Sequence, residues 1–223
     1  MELKNLIASS ETVDIYREGD KAVKIFKTGR KTDALYEALT HARIEYTDLL
    51  VPTIHEVSVI DGHWAITMDL IEGDTLEDLM KKHPENADRY LEDMVDLQLK
   101  VHQEKMPKLS KLKDKLTRLI NSLDTISDSI KYELLTRLDS MPKHVKLCHG
   151  NFVPANIIIN AKGTYIVDWI AARQGNASAD VAKTYLLLSL QSPEMAEKYM
   201  NLFCEKTHTS KMSVQDWLPI VAA

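Results

Sequence analysis

"LCHGNFVPANIIIN", residues 147–160, runs from an apolar strand end through a tight polar loop into the β-branched run Ile157 to Ile159. His149, Asn151 and Asn156 crowd into that loop, and Asp168 follows the apolar run "YIV" a little further on. A carboxylate at one strand end and an amide oxygen beside the neighbouring strand make a hard oxygen site suited to Mg²⁺. Phosphoryl transfer from a nucleotide needs such a site, a cation over the phosphates and a group that orients the acceptor hydroxyl. Positioning and electrostatics supply most of the catalysis.

The cation is found by working outward. "ETVDIYREGDKAVKIFK" alternates apolar and polar residues on both sides of "REGD", which predicts a hairpin of Val13 to Arg17 with Lys21 to Lys27. Lys24 lies in the second strand, and Glu37 on the following helical text, "KTDALYEALTHARIEY", is placed to pair with it against the phosphates. Its spacing puts Leu35, Leu39 and Ala42 on one helical face. "VPTIHEVSVI" and "HWAITMDLI" read as two strands joined across "DG".

After "EGD" the texture changes. Four stretches between Thr75 and Pro142 carry helical apolar periodicity, with Ser, Thr or Asn at their starts. The sharpest change falls at Ile71 to Gly73, the expected hinge. The fold class is therefore α+β, with a small β-rich lobe over residues 1–71 and a larger helical lobe over residues 72–223.

Composition narrows the chemistry. Among 223 residues, 28 Lys and Arg stand against 33 Asp and Glu, a formal charge of −5 that removes the broad basic field of a nucleic-acid binder. No run approaches the roughly 18 apolar residues of a membrane span. Cys148 and Cys204 have neither zinc spacing nor disulfide density, which fits a reducing cytoplasm. Oligomeric state is not legible.

With those residues in hand, the chain resembles the aminoglycoside phosphotransferase and choline kinase group of small-molecule kinases, which share the bilobal protein-kinase-like fold. The motifs are "HGNFVPAN" followed by "VDW", in the order and separation of that group. The resemblance implies ATP and Mg²⁺ as cofactors and a small-molecule hydroxyl as acceptor. It implies that Asn156 and Asp168 hold the metal and that Ser9, Ser10, Lys24 and Glu37 serve the nucleotide. The Asp69 carbonyl and the Ile71 N–H would bind adenine, with Met68 behind it. His149 would organise the loop, and Asp180, in "ADVAKTYLLL", would brace it.

Three departures stand out. Asn151 occupies the position of the expected Asp, and an amide cannot act as a general base at neutral pH. Ser9 and Ser10 replace phosphate-loop glycines, although their hydroxyls could still donate hydrogen bonds. Ala171 and Ala172 offer no second metal ligand. The reading is an ATP-dependent small-molecule kinase, the alternative being a nucleotide-binding module with impaired catalysis. Asp69, Glu72, Asp74, Glu77 and Asp78, with no basic residue among them, favour a cationic or polyhydroxylated acceptor. His102, on an apolar helix face, reads as structural.

Overall fold

The computed structural model describes residues 4–223, so the first three residues of the expected N-terminal lobe lie outside the described residues. The chain forms two compact units. One comprises residues up to Asp78 together with Ala155–Ile170, and the other Leu79–Pro154 together with Ala171–Ala223.

The first unit is built on an antiparallel sheet of β1 (Asn5–Ser9), β2 (Val13–Glu18), β3 (Lys21–Phe26), β4 (Ile54–Ile60) and β5 (His63–Asp69), in the order β1-β2-β3-β5-β4. Asp61 and Gly62 take φ of 49° and 82°, the double left-handed turn that the Asp-Gly pair between β4 and β5 predicts. Phe26 and Ile66 pack with Ala34 and Ala38 of α1 (Lys31–Ile44), and Met68 joins this cluster from β5. A second, three-stranded sheet joins β6 (Asp74–Thr75) to β8 (Ile157–Asn160) and β9 (Gly163–Ile166).

The apolar face marked by Leu35, Leu39 and Ala42 is not the side of α1 that is buried. Leu35 and Leu39 are 44% and 52% exposed, whereas Ala34, Glu37, Ala38, His41 and Ile44 are buried. The helix turns its ionic side inward because Lys24 on β3 is itself buried and needs a carboxylate.

The second unit is helical: α3 (Ala87–Gln103), α4 (Leu112–Ser122), α5 (Asp128–Ser140), α6 (Ala177–Ser189), α7 (Pro193–Thr207), α8 (Lys211–Gln215) and α9 (Leu218–Ala222), with α2 (Leu76–Lys82) at the boundary of the units. The Ser127 side chain accepts from the Ile130 amide, capping α5 as the sequence predicts, and Ser192 caps α7 by accepting from the Met195 amide. Between the helices, β7 (Lys146–Cys148) pairs antiparallel with β10 (Arg173–Gly175). Gln174 Nε2 donates to the carbonyls of Pro107 and Leu109 and straps the α3–α4 connection to this ribbon.

Candidate active site

Lys24 sits in the middle of β3, opposite Ile15 on one side and Ile66 on the other. Strand alternation turns it to the same face as Ala22 and Phe26, toward α1. Its ammonium lies 2.5 Å from Glu37 Oε1 and 3.9 Å from Asp168 Oδ1. Lys24 and Glu37 are 8% and 5% exposed, so the pair is held in a medium where water screens little. Burial pushes the Glu37 carboxyl above its usual range against the pull of Lys24, and Asp168 adds to the rise. Among the described residues, Glu37 Oε2 has no hydrogen-bond partner.

Asp168 follows β9 with φ at 64°, a left-handed backbone that is uncommon outside glycine and best tolerated by Asp and Asn. The next side chain, Trp169, is buried and donates from Nε1 to the Ile166 carbonyl, anchoring the turn. Asn156 ends a short 3₁₀ turn before β8, and its carbonyl accepts from the Val167 amide at 3.0 Å. The β8–β9 ladder therefore brings Asn156 and Asp168 to the same end of one hairpin. No group of three or more His, Cys, Asp or Glu side chains forms a metal site among the described residues. One carboxylate and one amide fit Mg²⁺, which keeps waters and takes its remaining ligands from nucleotide phosphates.

The loop residues of the second unit are fixed from below. His149 is fully buried, its Nδ1 accepts the Asn151 amide at 3.2 Å, and its ring meets Phe152 edge-on at 5.6 Å. Gly150 has φ of 79°, and a Cβ there would sit 2.9 Å from the Ala171 carbonyl. Its amide donates to Asp180 Oδ1 at 2.7 Å. Asp180 Oδ2 takes His102 Nε2 at 3.0 Å and Gln98 Nε2 at 3.2 Å. Tyr199 donates in turn to Gln98 Oε1. Burial acts to raise the Asp180 carboxyl, but the His102 and Gly150 donors outweigh it and hold the group below its usual range.

The remaining expected residues are placed differently. Ser9 ends β1 and donates its hydroxyl to Asp14 at 2.6 Å, while Ser10 Oγ accepts the Val13 amide at 3.1 Å. Both hydroxyls are thus engaged in shaping the loop. Lys27 holds the same loop, 2.7 Å from Asp14 and donating to the Ser10 carbonyl at 2.8 Å. Asp69 and Ile71 line a cavity of about 480 Å³ with Asp20, Thr53, Lys162 and Tyr165, and neither Lys24 nor Asp168 is among its walls. Burial pushes the Asp69 carboxyl up, but hydrogen bonds from His55, Lys21 and the Thr53 amide prevail and bring it to about 2.

Sequence reading identified His102 as structural without finding its partner, and it missed Gln98, Tyr199 and Lys27. The available signal was spacing: Gln98 and His102 are four apart on α3 and so share the face that meets Asp180.

A family model described as "Phosphotransferase enzyme family" matches residues 12–213. The chain belongs to that family. Its reaction class is phosphoryl transfer, and this phosphotransferase shares its fold with solved relatives of low identity. A thermostable mutant of the aminoglycoside phosphotransferase APH(4)-Ia, in ternary complex with ADP and hygromycin B, is 12% identical, with a TM-score of 0.70 over 99% of this chain and 83% of that one. The aminoglycoside phosphotransferase APH(3'')-Id from Streptomyces rimosus is 13% identical, with a TM-score of 0.67 over 96% and 90% of the two chains. A choline/ethanolamine kinase family protein from Mesorhizobium loti is 16% identical, with a TM-score of 0.55 over 91% and 69%. No curated protein matches the phosphotransferase by sequence. No helix among the described residues is long and apolar enough to cross a membrane.

Proposed function

We propose that the protein is an ATP-dependent kinase that moves the γ-phosphoryl group to a hydroxyl of a small molecule. The observation that carries this is the buried Lys24 ammonium, 2.5 Å from Glu37 and 3.9 Å from Asp168, a fixed cation beside a carboxylate able to serve a metal. In this reading Lys24 holds the phosphates, Glu37 orients Lys24, and Asn156 and Asp168 hold Mg²⁺. Bound there, Mg²⁺ would neutralise charge on the phosphates. The adenine contacts of Asp69 and Ile71 belong to the same proposal.

The acceptor oxygen forms a bond to the γ-phosphorus as the bond to the bridging oxygen breaks, and ADP leaves with that electron pair. Asn151 can accept a hydrogen bond from the acceptor hydroxyl and orient it, but it cannot take the proton. The proton passes to a phosphoryl oxygen or to water. General-base catalysis contributes about 10²–10⁴-fold, so an amide here gives a slow kinase rather than none.

A cationic acceptor, favoured by the acidic stretch from Asp69 to Asp78, has little support in the contacts. Asp69 is held by Lys21 and His55, Glu72 pairs with Arg17 at 2.7 Å, and Asp78 accepts from Thr75 at 2.7 Å. A cytoplasmic setting is supported by Cys148 and Cys204, both free thiols.

Calorimetry with ATP and Mg²⁺ tests the nucleotide half: Asp168→Ala should abolish the Mg²⁺ dependence of binding, and unchanged binding would discard the assignment. Single-turnover transfer tests the rest. Asn151→Asp should speed transfer by about 10²–10⁴-fold if a base is what the site lacks. Background turnover in both proteins, with ATP still bound, would favour a nucleotide-binding module instead.

A further inference from the structure

Two polar side chains of α1 are buried one turn apart, Glu37 and His41, and four-residue spacing puts them on the same side of the helix. Glu37 reaches Lys24 through one oxygen and leaves the other without a partner, so that contact alone does not fix where the helix lies. His41 Nε2 stands 2.6 Å from the Pro52 carbonyl. A carbonyl can only accept, so Nε2 carries the proton and donates it. Burial holds the imidazole below its usual range, against the Pro52 carbonyl and Glu45, and the charge of Lys24 acts in the same sense as burial.

Pro52 lies in the connection between α1 and β4. The Ile54 amide at the start of β4 donates to Glu45 Oε1, at the end of α1, at 2.9 Å. The Thr53 carbonyl accepts the Asp69 amide of β5 at 3.0 Å, and β5 sets Ile66 opposite Lys24 of β3. By that route His41 ties the inward face of α1 to the strands that carry Lys24. The rest of the contact is apolar: Ala34 and Ala38 meet Phe26 and Ile66. Apolar packing has no direction, whereas a hydrogen bond holds only over a narrow range of distance and angle.

We propose that His41 is a positioning residue for phosphoryl transfer: its bond to the Pro52 carbonyl sets α1 where Glu37 meets Lys24. The inference rests on the kinase reading above and adds the residue through which the helix is registered on the sheet. The demand for precision is high, since a misplacement of about 1 Å can cost about 100-fold in rate.

The test uses the full chain and three replacements of His41. His41→Phe keeps a ring and His41→Leu does not, but both lose the donor, whereas His41→Gln retains an N–H to offer the same carbonyl. Without nucleotide, competitive acetylation of Lys24 is read by mass spectrometry against the exposed Lys100. His41→Phe and His41→Leu should each speed labelling of Lys24 about tenfold or more, as loss of a charged hydrogen bond does, and His41→Gln should restore the slow rate. Calorimetry with ATP and Mg²⁺ should show affinity falling about tenfold in the donor-less variants and in Glu37→Ala. The double variants should fall no further, because both changes break the same contact. A histidine that only stabilises the fold would lower Tm and leave Lys24 labelling unmoved. Unchanged labelling in whichever donor-less variant folds, failure of His41→Gln to restore it, or losses of affinity that add in the double variants would each overturn the proposal. Wild type that binds no ATP would remove the kinase reading, and faster labelling in the donor-less variants would then still place His41 in control of the Lys24–Glu37 contact. ATP bound by wild type with labelling unmoved in the variants would do the reverse.

Discussion

In the first unit Glu37 puts one oxygen on Lys24 and leaves the other without a hydrogen bond, whereas in the second unit Asp180 fills both oxygens with the Gly150 amide, His102 and Gln98. Both carboxylates are buried, and desolvation acts on both in the same sense. The outcome is nevertheless opposite: the Glu37 carboxyl is raised and the Asp180 carboxyl is lowered. The number of donors decides, since a buried charge is tolerated in proportion to the hydrogen bonds that replace its water. Asp180 is thus a finished structural joint. Glu37 accepts from Lys24 through one oxygen only, as would suit the lysine-aiming role proposed for it.

The comparison is exposed most directly by removing the better-satisfied carboxylate. Asp180→Ala leaves His102, Gln98 and the Gly150 amide facing an empty site and should cost about 3–5 kcal/mol, read from urea denaturation. A loss under about 1 kcal/mol would mean that the joint contributes little. Gly150→Ala tests the other end of the same bond. A left-handed residue with a Cβ 2.9 Å from the Ala171 carbonyl should lose about 1–3 kcal/mol by the same measurement, and a neutral result would show that the loop can move aside.

Glu37→Gln is expected to be milder, at about 1 kcal/mol or less. The amide oxygen can still accept from Lys24, and Asp168 keeps a carboxylate 3.9 Å from the ammonium, so the buried charge is not left uncompensated. If Glu37→Gln proved as damaging as Asp180→Ala, the contrast between the two sites would collapse.

The smallest effect is pH-dependent. The Asp69 carboxyl is depressed to about 2, so its contribution is present above the ordinary carboxylate value and is lost as pH falls through about 4 to 2. Asp180, also depressed, has the same sign, and Glu37, raised, has the opposite one. The Asp69 side chain is 37% exposed, so screening limits its share to about 1 kcal/mol at most. Thermal melts of wild type and Asp69→Asn between about pH 5 and 2.5 should show a shallower acid limb in the variant. An unchanged slope would move the acid sensitivity elsewhere.

Much of this was legible in the sequence because local signals agreed. The Asp-Gly turn, the alternation around Lys24 and the cap of α5 each depend on residues close together in the chain. The strands β6 and β10 were not legible, being two and three residues long and defined only by distant partners. Which side of α1 is buried was not legible, because Glu37 and His41 take the interior in place of Leu35 and Leu39 and hydrophobic periodicity does not register a buried ion pair. The Ser9 and Ser10 hydroxyls were legible as hydrogen-bond donors or acceptors, but not as already committed to Asp14 and Val13.

The first unit is discontinuous, since residues up to Asp78 are joined by Ala155–Ile170. Its β6 strand pairs with β8, and the Ile166 amide donates to the Leu50 carbonyl. A ribosome that has released only the first unit's leading segment has therefore not yet supplied the hairpin that completes it, nor the aspartate that faces Lys24. Closure must await synthesis through Ile170, and pairing across that separation carries the slow search of non-local contacts. Until then the Lys24–Glu37 pair would form in an unfinished lobe, and a fragment ending at the apparent hinge should behave as a folding intermediate rather than as a domain.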